Sequence, residues 1–210
     1  MKIGKTSKLP DSTAKIISVV FHPLLIPLYG MIIIFSSPTL FGYLPFNVKK
    51  ILFLIVLIDN VLLPLSLMPY YKFRNIISTW SIEDRKERYI PLIVTSIFYS
   101  VTSIIVFRFQ IPLFLKSFIF SASFVALMVT LINFLSKISI HSSGAGVLVA
   151  LVLILALKTN YPLTWYLVSV IITGGLILSS RLRLNSHNPQ QVWFGFLVGF
   201  LGFGISMLFI

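Results

Sequence analysis

A chain of 210 residues that is 57% hydrophobic and only 10% charged, with a mean hydropathy of +0.99, carries too much apolar surface for water, so its solvent is lipid. It has no cysteine, which excludes disulfides, thiol catalysis and thiolate metal sites. A net charge of +12 in such a chain points to phospholipid headgroups or a phosphate-bearing substrate as partners, with no nucleic acid.

The basic start MKIGKTSKLPDSTAK, a tail over 1–14, leads into an apolar run interrupted by His22, Pro23 and Pro27. No small-residue cleavage site follows, so it reads as a retained first helix and not a signal peptide. A bilayer crossing takes about 20 mostly apolar residues, and Pro, Gly and charge mark the breaks. This predicts helices near 15–36, 48–69, 90–109, 112–135, 144–159, 162–180 and 191–210. The fold class is therefore an all-α polytopic integral membrane bundle in a single membrane domain over 1–210. It has seven crossings, or six if the Pro-broken first segment only dips into the membrane. FQIP at 109–112 and NYP at 160–162 read as tight hairpins, and YYKFRNIISTWSIEDRKER at 70–88 as a surface helix. Asp59 and Asn60, midway through the second helix, are expected to make a polar contact between helices, with His22 as partner, or else to line a substrate cavity. GAG at 144–146, with Gly174 and Gly175, is expected to permit close helix packing.

Three polar islands remain: SIEDRKERYIP at 81–91, KISIH at 137–141 and SSRLRLNSHNPQQ at 179–191. Two helices separate each island from the next. Each pair is an out-and-back hairpin, so all three islands return to one membrane face. That parity gathers Arg85, Lys86, Arg88, Lys137, Ser139, His141, Arg181, Arg183 and His187 into one interfacial layer. Arginine forks and lysine charges suit phosphate oxygens, and a histidine among them can attack phosphorus or carry a proton at neutral pH. The five acids are Asp11, Asp59, Glu83, Asp84 and Glu87. Three crowd the first island and none accompanies the other two, so a phosphate site without metal or other cofactor is the expectation. The plainer reading is that basic residues at helix ends anchor headgroups. Two histidines beside basic residues on one face favour the site. Of the 17 basic residues, 12 fall on the motif side, which by the positive-inside rule predicts motifs on the cytoplasmic side of a bacterial inner membrane.

The three islands resemble the signature motifs of the type 2 phosphatidic acid phosphatase (PAP2) superfamily, over about 80–205. The third family motif is Ser-Arg, five residues, His, three residues, Asp; here it reads Ser180, Arg181, LRLNS, His187, NPQ and Gln191. The second, Pro-Ser-Gly-His, is represented by Ser139 and His141 in ISIH. The first, Lys, six residues, Arg-Pro, is matched loosely by Arg85, Lys86 and Arg88, with Pro91 displaced. The combination is similar to a divergent bacterial branch with KxSxH and HxxxQ motifs. The resemblance implies that His187 attacks phosphorus to give a phosphohistidine and that His141 protonates the leaving oxygen. It further implies that Arg85, Lys86, Arg88, Ser139 and Arg181, with amides near His141, hold the phosphoryl oxygens. Gln191 would orient the His187 ring where the family has Asp, accepting its hydrogen bond without bringing charge, and Gln190 is an alternative. The implied substrate is the phosphate monoester or diphosphate of a phospholipid or polyprenyl lipid.

Three other readings compete. A weak or inactive relative would bind lipid phosphate through Arg181 without hydrolysing it. A small transporter would need a polar path that the helices, beyond Asp59 and Asn60, scarcely offer. A prenyltransferase would need paired Asp motifs that the chain lacks.

Overall fold

A computed structural model describes residues 11–209 except Ser81 and Glu83. It is an all-α bundle with no strand among the described residues. Seven segments are long and apolar enough to cross a membrane: Asp11–Ser36, Phe46–Phe73, Lys86–Phe107, Leu113–Leu135, Ile140–Thr159, Thr164–Arg183 and Pro189–Phe209. Most of the expected basic tail lies outside the described residues; residues 11–14 are already the first turn of a helix.

The first segment is two helices, α1 (Asp11–Val20) and α2 (Ile26–Ser36), joined by a 3-10 turn at Pro23–Leu25. Proline supplies no N–H and disfavours helical geometry in the residue before it. His22 accordingly sits extended at ψ 138°, and its Nδ1 accepts the Leu24 N–H at 3.3 Å. Across the break the Tyr29 hydroxyl donates to the Val20 carbonyl at 2.7 Å, so α1 turns away from α2 while staying tied to it.

The second segment runs through α3 (Phe46–Leu57), a π-turn at Ile58–Leu62, α4 (Leu63–Ser66) and α5 (Met68–Phe73). The π-turn carries Asp59 and Asn60, and both face Thr102, whose Oγ lies 2.7 Å from Asn60 Oδ1 and 3.3 Å from Asp59 Oδ2. The contact between helices expected for Asp59 and Asn60 therefore exists, but its partner is Thr102 and not His22. Beyond Phe73 the chain is not the surface helix expected over 70–88. Asn75 takes a left-handed φ of 54° and ends α5, and turns follow up to the 3-10 turn Lys86–Arg88. Glu87 accepts the Ser78 N–H at 3.0 Å and Asp84 accepts the Lys86 N–H at 2.7 Å. These acids of the first island thus satisfy the backbone of the turns.

The remaining helices are α6 (Tyr89–Phe107), α7 (Leu113–Leu135), α8 (Ile140–Thr159), α9 (Thr164–Arg183) and α10 (Pro189–Phe209). Helices α6 and α7 pair through serine and threonine hydroxyls, Ser96 with Thr130 at 2.7 Å and Ser100 with Ser123 at 3.1 Å. Such bonds substitute for the hydrophobic drive that lipid removes. Both hairpins fall where the sequence marks them, and Asn160 adopts the left-handed conformation just past the end of α8.

Helix α8 is the axis of the bundle, with almost every residue from Ser142 to Leu155 buried. It begins at Ile140, a turn before the predicted 144, because Ser139 caps it: its Oγ accepts the Ser142 N–H at 3.4 Å. Against it lies α10, at backbone contact. A Cβ on Gly199 would sit 1.9 Å from the Ser143 carbonyl oxygen, one on Gly146 2.2 Å from that of Phe196, and one on Gly195 2.5 Å from that of Ser139. The GAG run does pack closely, with Gly146 against α10, Gly144 against Ile26 of α2, and Ala145 in the cluster with Ile177 and Leu178 of α9. Gly174 only approaches the Ala145 methyl and Gly175 faces open space.

Candidate phosphate site

The glycine seam fixes the second and third islands against each other. With α8 and α10 so close, the Ser139 N–H reaches the Gln191 carbonyl oxygen at 3.4 Å, and the first turn of α8 stands beside the start of α10. At the head of α10, Asn188 Oδ1 accepts the Gln191 N–H at 2.8 Å. This turns the Gln191 side chain back toward His187, where Nδ1 and Gln191 Oε1 are 3.0 Å apart. An amide oxygen only accepts, so Nδ1 carries the proton and Nε2 keeps its lone pair. His187 is buried. Burial, with further contributions from the charges of Arg88, Arg181 and Lys137, pushes its pKa down to about 4, against which the hydrogen bond it donates to Gln191 acts only in part. The imidazole is therefore neutral near pH 7.

Arg181, in the last turn of α9, is buried and turned inward. Its Nη1 donates to the hydroxyl of Ser18 on α1 at 3.2 Å. His141, half-buried at the start of α8, places Nε2 3.1 Å from the carbonyl oxygen of that same Ser18. His22 lies beyond it, the two rings edge to face at 5.7 Å. The third island reaches the first helix again at Arg183, which pairs with Asp11 at 2.8 Å.

The first island joins through its arginines. Arg88 is buried, its Nε donating to the Ile82 carbonyl at 2.7 Å and its Nη1 to that of Ile138 at 3.4 Å. Ile82 takes φ 41° to present that carbonyl. Arg85 donates to the Leu135 carbonyl at 2.7 Å and its own carbonyl receives the Asn133 amide at 3.3 Å. Both arginines thus strap the first island to the α7–α8 turn.

The expected layer is real: the three islands meet at one end of the bundle, as hairpin parity requires. Within it the residues divide. His187 and Gln191 are paired, and Arg181 and Arg88 are close enough to bear on the His187 charge. His141 also belongs to this group through Ser18. Ser139, expected to hold phosphoryl oxygens, is fully buried and serves as the cap of α8, with the Ser142 hydroxyl also donating to it at 2.8 Å. Lys86 stands exposed at the rim. Gln190 is exposed, and it is Gln191 that meets the ring. Sequence reasoning missed Ser18, and it set His22 beside Asp59 instead of beside His141. The available signal was polar residues recurring at a four-residue spacing, Ser18 and His22, in a run otherwise apolar. Chemically, the assembly sets cationic side chains near a neutral imidazole, a combination suited to an oxyanion. Comparison with protein-family models, curated proteins and solved structures finds no match for this chain.

Proposed function

We propose that the chain is a membrane-embedded lipid phosphatase of PAP2 type, cleaving a phosphate monoester or diphosphate of a phospholipid or polyprenyl lipid. The observation that carries this is the buried, neutral His187, held through Nδ1 by Gln191 at 3.0 Å among the arginines of two islands. In this reading the Nε2 lone pair attacks phosphorus, the P–O bond to the lipid breaks, and the departing oxygen takes a proton from His141. Water then attacks the phosphohistidine and gives a proton to His141, the P–N bond breaks, and inorganic phosphate leaves with both histidines restored. Arg181 and Arg88 offset the charge gathering on the phosphoryl oxygens, and Arg85, Lys86 and Lys137 attract the anionic headgroup from the rim. The donors gathered here are cationic nitrogens, which favours direct oxyanion stabilisation over a route through a bound cation. The excess of basic residues on the motif side supports a cytoplasmic site in a bacterial inner membrane.

Release of phosphate from phosphatidate in detergent micelles tests it. His187→Ala and His141→Ala should each abolish release while leaving expression intact, and unchanged activity in both would overturn the assignment. A second reading, a protein that binds lipid phosphate without cleaving it, is favoured by the uncharged Gln191. A lost carboxylate in a histidine-based triad costs about 10⁴ in rate, partly through a wrong tautomer, which the Gln191 oxygen avoids here. Gln191→Asp separates the two readings: a large gain in release marks a slow enzyme, and Arg181-dependent binding with no release in either form marks a binder.

A further inference from the structure

One residue of α1 touches both groups that the phosphate reading needs free. Ser18 gives its hydroxyl to Arg181 Nη1 at 3.2 Å and its carbonyl oxygen to His141 Nε2 at 3.1 Å. The same hydroxyl lies 3.4 Å from the hydroxyl of Ser180. Two oxygens of a single residue therefore bridge a guanidinium and an imidazole, as two oxygens of a phosphoryl group would. A carbonyl oxygen can only accept, so His141 spends its Nε2 proton on Ser18.

The attachment of α1 is correspondingly light. Its inward face is Ala14, Ile17 and Ser18, and Ile17 and Phe21 pack against a small cluster of Ala145, Ile177, Leu178 and Val192. Ile16, Val19 and Val20 face lipid. The outer tether is the Asp11–Arg183 pair, with Asp11 two-thirds exposed, and exposed pairs contribute little. Because the helix is already broken at His22–Leu25, a swing of α1 would cost the Tyr29–Val20 bond but would not unwind α2.

We infer that Ser18 stands in for the phosphoryl group: α1 closes the resting site as a lid, and a phosphate-bearing lipid binds between Arg181 and His141 by displacing it. This rests on the phosphate reading above. Admission of substrate then requires α1 to move toward the lipid, which draws the headgroup in sideways from the bilayer.

The chain has no cysteine of its own, so thiols can be placed singly. In S18C, phosphatidate in micelles should raise the maleimide labelling rate about tenfold or more, the size of shift a ligand well above its Kd imposes. A rise with inorganic phosphate alone means the oxyanion suffices, whereas a rise only with phosphatidate means chain and headgroup act together. Either result supports displacement. An equal rise with diacylglycerol, or no rise with any of the three, overturns it. In S18C/S180C the hydroxyl positions are close enough for a disulfide. The oxidised form should lose phosphatidate binding about tenfold or more, and reductant should restore it. A locked protein that binds like the reduced one sinks the lid, and so does failure of the bridge to form. Arg181→Ala separates the two ideas. If phosphatidate binding survives that change, the phosphate site itself is wrong; if binding needs Arg181 but ignores the lock, only the lid is wrong.

Discussion

His187 ties a charge state to a burial. Its ring stays neutral on acidification until the pH nears 4, whereas the same histidine in an unfolded chain takes a proton near 6.5. Between those values the unfolded state binds the extra proton, so the fold loses stability as pH falls from 6.5 toward 4 and keeps it above 6.5. The thermal midpoint in detergent should drop across that window, and His187→Ala should flatten the drop. A slope unchanged in the variant would assign the loss to another group. By the same sign, phosphate release should hold through pH 6 instead of declining at an ordinary histidine value. The polar residues of the site were legible in the sequence because a chain this apolar keeps histidine and arginine for few purposes. The role of Ser139 was not, since a serine before a helix caps or binds depending on which way its hydroxyl turns. Ser18 was hidden for a different reason. The four-residue spacing of Ser18 and His22 gains meaning only once the break at Pro23 aims the helix across α9.

Helix ends and breaks follow from proline, asparagine and caps, which is why the predicted segments lie within four residues of the structure at each end, although the first and the fifth both start four residues too late. KISIHSSGAG looks like a loop because Ser and His are weak helix formers, yet the Ser139 cap stabilises the first turn and carries His141 into the helix. The surface helix expected over 70–88 failed because left-handed Asn75 and the Glu87–Ser78 contact favour turns. Which helices face the GAG run could not be read along the chain at all, since that depends on the register of α8 against its neighbours, α10 above all. That register makes a sharp contrast testable. Gly199→Ala would drive a methyl into the Ser143 backbone, where only helix separation relieves it. A cost of about 1–3 kcal/mol or more is expected. Gly175→Ala meets nothing within 4 Å and should gain about 0.5–1 kcal/mol from helix propensity. Thermal unfolding of the two variants in the same detergent decides it, and equal effects would mean the seam is looser than drawn.

At the scale of the molecule, seven spans put residue 11 and residue 209 on opposite faces, with the three islands on the side of residue 11. Single cysteines at exposed Trp80 and at Lys158, labelled by an impermeant maleimide in sealed vesicles, should react from opposite sides. Labelling from one side would remove a crossing and undo the parity that gathers the site. That parity was the most secure inference the sequence allowed, because counting hairpins needs only the number of greasy segments and not their packing. How tightly the islands converge was beyond it, for convergence is set by the arginine straps and the glycine seam.

The seam also gives the molecule a mechanical polarity. The first three membrane segments are each 28% buried along their apolar stretches and α8 is 72% buried, so the chain has a soft end and a stiff end. Traction on the N-terminal side peels away side-chain contacts one helix at a time and leaves the α8–α10 seam whole. Traction on the C-terminal side must first shear carbonyl-to-glycine contacts along that seam, carrying His141 and His187 out of register at once. Thinning or lateral pressure in the surrounding bilayer acts on the same asymmetry. It should be absorbed by α1, the covering of the site, before it reaches the strut on which the two histidines are mounted.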